Sequence, residues 1–143
     1  MNTLTGGCLC GAIRYTVTAK PWAASHCHCA DCRRATGAPF ITWITLPVDG
    51  FAWVQGKLGV HHSTEGVTRG FCTDCGTTLS YAGDDHADEI DISGTSLDDA
   101  EAVTPDDHLW SGSALSWLHM ADGLPRLKQG HWGVGYPHKP KEK

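Results

Sequence analysis

Short stretches in which hydrophobic and polar residues alternate run through much of the chain. In residues 12–18, Ile13, Tyr15 and Val17 share one face, and polar residues occupy the other. This two-residue period is typical of half-buried β-strands. Similar stretches, or runs rich in β-branched and aromatic residues, predict strands at 40–46, 51–55, 58–63, 67–71, 77–82, 88–93 and 108–110. Because no stretch has the period of a long amphipathic helix, the pattern predicts a mainly β fold.

The stretches between the predicted strands contain few signals for a helix. Residues 24–39 are predicted to form a loop with one helical turn over 31–35. Residues 96–101 are predicted to form a short helix, with Ser96 as its N-cap and acidic residues in its first turn. Four tryptophans are expected chiefly in the core of a glycine-rich sheet: Trp43, Trp53, Trp110 and Trp117.

Length and charge limit what the protein can be. The chain has 143 residues, the size of one ordinary domain, and shows no internal repeat. We therefore predict a single domain over residues 1–136, followed by a flexible tail over 137–143. A net charge of −5 argues against a general nucleic-acid binder. No apolar run approaches the roughly 18 residues of a membrane helix, and residues 1–7 lack the features of a secretory signal, so a cytoplasmic location is expected.

The seven cysteines fall into three short groups: Cys8 and Cys10; Cys27, Cys29 and Cys32; Cys72 and Cys75. A disulfide framework would leave one thiol over, and it fits poorly with a chain that shows no export signal. Closely spaced C-x-C pairs also rarely have the geometry that a disulfide needs. Thiolates separated by one or two residues can instead bind one tetrahedral zinc ion together.

The number of cysteines in each group predicts two different zinc sites. The outer groups together supply four ligands, the four-cysteine cluster (Cys8, Cys10, Cys72 and Cys75). The middle group supplies three, the cysteine triad (Cys27, Cys29 and Cys32), and leaves one coordination position open. Structural zinc sites are closed, whereas catalytic ones keep an open position. In an alternative partition the triad borrows one outer cysteine, which would break up a two-residue clamp.

Two glycines support the four-cysteine cluster. Gly11 follows Cys10 directly, and Gly76 follows Cys75. A zinc knuckle often needs a residue with positive φ so that backbone N–H groups can turn toward the thiolates, and glycine adopts that conformation freely. We therefore predict positive φ at both glycines.

Four motifs together resemble one known family: GGCLCGAIRY (6–15), CHCADCRRATGAP (27–39), FCTDCGTTL (71–79) and HLWSGSALSWLHMADGLPRL (108–127). They are similar, in the same order and over nearly the whole chain, to the glutathione-dependent formaldehyde-activating enzyme family, also called the centromere-protein-V domain. The resemblance implies a mainly β, zinc-binding β-tent fold with short antiparallel sheets and zinc knuckles. It also implies two zinc ions per chain, one structural at the four-cysteine cluster and one in the active site at the triad.

The resemblance further implies a carbon–sulfur lyase that joins glutathione and formaldehyde. The chemistry of the triad fits that expectation. Three thiolates and Zn²⁺ carry a net charge of −1, so we expect a weak Lewis acid that is poorly suited to hydrolysis. A soft substrate thiolate suits the open position better. The predicted reaction is therefore addition of a thiol to a small aldehyde, or its reverse.

Basic residues near the triad are candidates for binding substrate. Arg33 and Arg34 follow it directly, and a guanidinium pairs well with the carboxylates of glutathione. His108, in the last motif, is a candidate acid/base or substrate contact. His26 and His28 flank Cys27 and could fill the fourth zinc position, although the middle side chain of an extended C-x-C turn tends to point away from the metal.

Two other classes of function remain open at this stage. A non-catalytic zinc module could bind a protein partner, and the resemblance to the centromere protein keeps that class in view. A redox sensor could use Cys29 and Cys32, or Cys72 and Cys75, as C-x-x-C pairs. The redox reading leaves the remaining cysteines without a role. Metal content and glutathione-dependent consumption of aldehyde distinguish the three classes.

Overall fold

Two sheets of short strands form the framework of the computed structural model, which describes residues 2–131, 135, 136, 138 and 139. The strands are β1 (Leu4–Gly7), β2 (Arg14–Val17), β3 (Ala23–Cys27), β4 (Ile41–Pro47), β5 (Phe51–Gln55), β6 (Gly59–His61), β7 (Val67–Phe71), β8 (Thr78–Gly83), β9 (Glu89–Ser93) and β10 (Asp107–Leu109). The helices are α1 (Ala30–Thr36) and four 3-10 turns at Val48–Gly50, Asp84–His86, Gly94–Ser96 and Ser111–Ser113. The prediction of a mainly β fold is confirmed.

The smaller sheet has the antiparallel order β1-β2-β5. The alternating residues of β2 place Tyr15 and Val17 on the buried face, as the sequence pattern predicts. The ring of Tyr15 packs against Phe51 and Trp53 of β5, with centroids 5.4 and 5.8 Å away. This face is one side of the main core.

The larger sheet has the order β10-β3-β4-β9-β8-β7-β6. Its pairings are antiparallel except that of β10 with β3, which is parallel. Ile44, Leu46, Leu79 and Ile92 from its central strands are almost completely buried in the same core as Tyr15. The opposite face of these strands forms the floor of a cavity, which is described below.

Two strands and one helix differ from the sequence prediction. Strands β1 and β3 were not predicted, and β3 lies where a loop was expected, because the AASHC segment gains its extended form from pairing with β4. Residues 96–101 do not form a helix. The Ser96 hydroxyl donates to the Ser93 carbonyl at 2.7 Å and contacts the Tyr15 hydroxyl, so it does not cap a helix. Leu97 is instead buried in the core.

Two described residues of the predicted tail contact Trp22, and one tryptophan lies outside the core. Of the predicted tail, residues 137 and 140–143 lie outside the described residues. The His138 N–H donates to the Trp22 carbonyl at 3.0 Å, and the Lys139 ammonium lies 4.6 Å from the Trp22 ring centroid. Trp117 is 64 % exposed, so its expected place in the core is wrong. Among the helices of the described residues, none has the length and hydropathy needed to cross a membrane.

Candidate metal centres and substrate cavity

The structure gathers the seven cysteines into two separate groups, the same two that the spacing predicts. The sulfur atoms of the four-cysteine cluster all lie within 4.8 Å of one another, and so do those of the cysteine triad. No outer cysteine joins the triad among the described residues, so the alternative partition is not the one observed. Both groups can hold a metal ion.

The spacing of sulfur atoms in the four-cysteine cluster fits a tetrahedral zinc ion. The Cys8 and Cys10 sulfurs are 3.6 Å apart, and those of Cys10 and Cys72 are 3.8 Å apart. A tetrahedron with Zn–S bonds of about 2.3 Å has edges of about 3.8 Å. Two ligands come from the β1–β2 turn and two from the β7–β8 turn. A metal ion there would therefore join the two sheets.

The knuckle glycines have the predicted conformation. Gly11 has φ +79° and Gly76 has φ +78°. Their N–H groups donate to the carbonyls of Cys8 and Cys72, at 3.0 and 2.8 Å, and so close each turn. One N–H group that points at a sulfur belongs to Ile13, which donates to Cys8 Sγ at 3.2 Å. The glycines thus shape the turns, and a neighbouring residue supplies the bond to sulfur.

Strand β3 and helix α1 position the cysteine triad. Cys27 ends β3, Cys29 is the N-cap of α1, and Cys32 lies in the first turn of that helix. The Cys32 N–H donates to Cys29 Sγ at 3.3 Å. Cys27 and Cys32 are buried, whereas Cys29 is partly exposed. The strand-to-helix turn therefore brings three sulfurs together at the edge of the large sheet.

The crowding of the three thiols shows why this group suits a cation. Hydrogen bonds from Cys27 and Cys32 to the Cys29 sulfur lower the pKa of Cys29 to about 2. The same contact with Cys29 strongly raises the pKa of Cys27. One sulfur is thus stabilised as a thiolate only because its neighbours keep their protons. Three thiolates at this spacing need a positive ion between them, and soft sulfur donors favour zinc.

Two further side chains direct donors at the triad. Trp43 Nε1 donates to Cys32 Sγ at 3.4 Å. The guanidinium nitrogens of Arg69 lie 3.9 and 4.0 Å from the same sulfur. Arg69 is itself buried, with its guanidinium carbon 5.0 Å from the centroid of the Tyr81 ring. These contacts place positive charge beside a group that would carry a net charge of −1 with zinc.

A cavity of about 460 Å³ opens beside the triad. Its volume lies in the range of small-molecule sites. Its lining comes from β3, β4, β7, β8, β9 and α1, and from segments that follow β10. Trp110 contributes to the wall in a left-handed backbone conformation, with φ 53°, which is rare for an aromatic residue. The triad sulfurs thus face a space that can receive a small molecule.

The floor of the cavity is one row of residues across the large sheet. Register pairs Arg69 with Tyr81, Tyr81 with Asp91, and Asp91 with Thr45. The Thr45 hydroxyl donates to Asp91 Oδ1 at 2.5 Å. Burial raises the pKa of Asp91 to about 7, with the nearby Glu89 carboxylate adding to the effect. The floor is therefore polar. Arg69 supplies a positive charge at one end of the row, and Asp91 supplies an easily protonated carboxyl near the other.

The basic residues predicted to bind substrate do not line this cavity. The described lining residues do not include Arg33, Arg34 or His108. The Arg33 guanidinium donates to the carbonyl of Ser113 and, at 3.4 Å, to that of His28. Arg34 is exposed. The guanidinium that reaches the triad belongs to Arg69, which is distant from it in sequence.

His108 belongs to a buried chain of hydrogen bonds behind the triad. Asp122 Oδ2 lies 2.7 Å from His108 Nε2, and His108 Nδ1 lies 2.8 Å from His28 Nε2. Because an ionised carboxylate can only accept, neutral His108 donates to Asp122 from Nε2, and its Nδ1 accepts a hydrogen bond from His28 Nε2–H. His28 thus points away from the triad sulfurs, as the C-x-C geometry predicts. Its backbone N–H donates to Leu109, which fixes the Cys27–Cys29 turn against β10.

His26 is held in the same region by other partners. Its Nδ1 lies 2.8 Å from the Thr42 hydroxyl, and its ring centroid lies 4.9 Å from that of His108. Ligand-type atoms of His26, His108 and Asp122 lie within 4.8 Å of one another. The hydrogen bonds already described account for this arrangement. His26 therefore belongs with the histidines behind the triad and not with the triad sulfurs.

Sequence reasoning missed several residues of the cavity. Arg69, Glu89, Asp91 and His131 belong to no motif. The first three lie within strands, and His131 lies in the segment after β10, where its Nε2 is 2.8 Å from Asp107 Oδ2. The one available signal is a charged residue in a strand otherwise suited to burial, as Asp91 is between Ile90 and Ile92. Which face of the sheet such a residue occupies depends on strand pairing, so this signal does not identify a site by itself.

Comparisons with known proteins agree with this geometry. Residues 3–113 match the model of a family described as glutathione-dependent formaldehyde-activating enzyme. A Schizosaccharomyces pombe protein named "Uncharacterized lyase C29B12.13" is 32 % identical over 82 residues, which are 57 % of this chain and 59 % of that protein. The match thus spans about three-fifths of the relative.

A solved structure shares the fold. The crystal structure of a Rhodobacter sphaeroides protein superimposes with a TM-score of 0.56 at 25 % sequence identity. The match covers 71 % of this chain and 91 % of that one. The family match extends over most of the chain and includes both groups of cysteines. The chain is therefore a member of the glutathione-dependent formaldehyde-activating enzyme family.

Proposed function

We propose that the protein is a zinc-dependent carbon–sulfur lyase that adds a thiol such as glutathione to a small aldehyde such as formaldehyde, or releases it. The observation that carries the proposal is the cysteine triad, whose three sulfurs face a cavity of about 460 Å³. Membership of the family and the lyase name of a relative support this class of reaction. The four-cysteine cluster would hold a second zinc ion with a structural role.

The residues present fit the ion that this chemistry needs. Cys27, Cys29 and Cys32 would hold it, and the zinc ion would supply a Lewis acid that keeps the substrate sulfur deprotonated at neutral pH. Arg69, beside Cys32, offsets the excess negative charge of the sulfurs. Trp43 fixes the orientation of Cys32 through its indole N–H. Because the local charge would otherwise repel an incoming thiolate, Arg69 favours binding of the substrate in its anionic form.

The proposed step is a nucleophilic addition. The thiolate sulfur attacks the aldehyde carbon, so a C–S bond forms and the carbonyl π electrons move to oxygen. The oxygen then takes up a proton, which balances the one that the thiol released when it became a thiolate, and the product is an S-hydroxyalkyl adduct. No electrons are gained or lost overall, so the reaction needs no redox cofactor. In reverse, the hydroxyl loses its proton, the carbonyl re-forms and the thiolate leaves.

Replacement of Cys29 by Ser tests the proposal, since Cys29 is the least buried member of the triad. We expect Cys29→Ser to abolish glutathione-dependent consumption of formaldehyde, yet to remain folded with one zinc ion instead of two. Activity is followed by the loss of aldehyde, metal by elemental analysis, and folding by circular dichroism. Full activity in this variant would refute the assignment of the triad as the reactive site.

The same assay separates the enzyme from the other classes. A zinc-loaded protein with two ions that consumes no aldehyde with any thiol tested would favour a non-catalytic zinc module. A protein isolated under reducing conditions without zinc would favour a redox sensor. Under the proposal, activity requires both the thiol and the metal, so omission of either one reduces consumption of aldehyde to the uncatalysed rate.

A further inference from the structure

The cavity has an acidic end, away from the triad. Glu89 and Asp91 lie two residues apart on β9, so they occupy the same face of the strand, and both line the cavity. A second, smaller cavity of about 190 Å³ shares Tyr81, His86, Glu89 and Asp91 with the first. Its described lining contains five carboxylates and neither lysine nor arginine. A positive group is therefore favoured there.

The carboxylate of Glu89 is buried, and only one of its two oxygens has a hydrogen-bond partner among the described residues. Its side chain is 9 % exposed. One oxygen, Oε1, accepts from the Tyr136 hydroxyl at 2.6 Å. The other, Oε2, is buried and has no hydrogen-bond partner among the described residues. A buried carboxylate oxygen without a donor is costly, so a donor group that reached it from the cavity would be stabilised there.

The register of the sheet gives the distance between the two ends. Trp43, which contacts Cys32, is two residues from Thr45 and four from Pro47 along β4. Thr45 pairs with Asp91, and Pro47 pairs with Glu89. At about 3.3 Å per residue, Asp91 lies about 7 Å and Glu89 about 13 Å along the sheet from the Trp43 position. A ligand with its sulfur at the triad must therefore extend along the floor to reach Glu89.

We propose that this end of the cavity binds the primary ammonium group of the thiol substrate through Glu89, with Asp91 beside it. The inference rests on the proposed function and adds the class of substrate, a thiol that carries a primary amine several bonds from its sulfur. Arg69 stands near the triad and the carboxylates stand farther along, so the cavity has one positive and one negative region. This pattern selects a zwitterionic thiol over a purely anionic one.

The test compares glutathione with N-acetylglutathione, whose amine is blocked, by calorimetric titration of the zinc-loaded protein. We expect blocking of the amine to weaken binding to the wild type by about ten- to a hundredfold, the range for a hydrogen bond to a charged group. Glu89→Gln should weaken glutathione binding to a similar extent. In that variant the acetyl group should have little further effect, because the two changes remove the same interaction.

Two variants serve as controls. Asp49→Asn also removes one negative charge, but Asp49 is exposed and lines neither cavity, so it should leave both affinities unchanged. Asp91→Asn provides a second test should Glu89→Gln fail to fold, and it should weaken glutathione more than N-acetylglutathione. Equal binding of the two ligands to the wild type would overturn the ammonium site and leave the proposed function intact.

A simple amine separates the two proposals further, since n-butylamine has no sulfur. If the protein binds n-butylamine in a manner sensitive to Glu89→Gln but binds no glutathione, the ammonium site stands and the proposed thiol chemistry fails. If neither ligand binds, both proposals fail. Chemical-shift changes of the Glu89 and Asp91 amides in NMR spectra report binding at this end without any measurement of activity.

Discussion

At the scale of single residues, the positive charge at the triad comes from a place that the sequence does not indicate. Two arginines follow the triad directly, but Arg33 donates to backbone carbonyls and Arg34 is exposed. Arg69, 37 residues beyond Cys32, reaches that sulfur because β7 lies in the same sheet as β4. Proximity in sequence did not indicate Arg69, since strand order and not spacing determines which side chains meet.

Asp91 makes a residue-scale prediction about pH. Burial raises its pKa in the folded protein to about 7, from an ordinary value of 3.8. The folded state therefore holds a proton that the unfolded state releases, and this contribution to stability is lost as pH rises from about 4 to about 7. We expect wild type to lose about 2 kcal/mol relative to Asp91→Asn between about pH 5.5 and about pH 8. Urea unfolding of both proteins at the two pH values measures the difference.

The comparison between wild type and Asp91→Asn isolates the effect of Asp91 from that of groups whose contribution to stability changes with pH in the opposite direction. A hydrogen bond from Arg14 lowers the pKa of Asp98 to about 2, so Asp98 favours the folded state at higher pH. That contribution is common to wild type and variant and cancels in the difference. Because Asp91 is partly open to the cavity, water there makes the effect smaller than for a fully buried carboxyl. Parallel pH profiles for the two proteins would contradict this account of Asp91.

At the scale of elements, the alternation of hydrophobic and polar residues predicted most of the strands. The glycines Gly11 and Gly76 predicted the positive φ of the two zinc knuckles. Strands β5 and β7 have the predicted bounds, and β2, β4, β8 and β9 differ by one or two residues at an end. Strand β3 has no such pattern, since its AASHC sequence includes two alanines and is extended because β4 and β10 pair with it on both sides. Strand pairing of this kind depends on distant residues, so a local pattern does not predict it.

Gly76 provides the element-scale prediction. At φ +78° an alanine would be strained, although nothing lies within 4 Å of an added Cβ. We expect Gly76→Ala to lower the free energy of unfolding by about 1 kcal/mol and to weaken metal binding at the four-cysteine cluster. Gly83→Ala is the matched control, because its site is also open but its φ is −124°. Equal effects of the two substitutions in urea unfolding would show that knuckle conformation is not the cause.

At the scale of the whole molecule, the two candidate metal centres have different positions in the architecture. The four-cysteine cluster connects the β1–β2 turn with the β7–β8 turn and so ties the small sheet to the large one. The triad lies within a strand-to-helix segment of six residues and ties together nothing distant. The sequence predicted this division through the count and spacing of cysteines, because ligand chemistry is local. The cavity could not be predicted in this way, because its lining residues come together only when the sheet is assembled.

This difference predicts unequal costs of cysteine loss. A metal link across a loop of about 60 residues stabilises the fold by about 4 kcal/mol in the chain-entropy treatment of cross-links. We therefore expect Cys72→Ser to lower the free energy of unfolding by several kcal/mol, and Cys29→Ser by much less. Urea unfolding of the zinc-loaded variants, with zinc content measured on the same samples, gives the comparison. A larger loss for Cys29→Ser would reverse the structural assignment of the two centres.

The central claim is that the triad holds a metal ion with one position left for a substrate sulfur. The most direct measurement is a crystal structure of the zinc-loaded protein with glutathione. The account predicts one ion with four protein sulfurs, and a second ion bound by Cys27, Cys29 and Cys32 with the glutathione sulfur as its fourth ligand at about 2.3 Å. A fourth ligand supplied by the protein itself, or glutathione bound away from the triad, would contradict it.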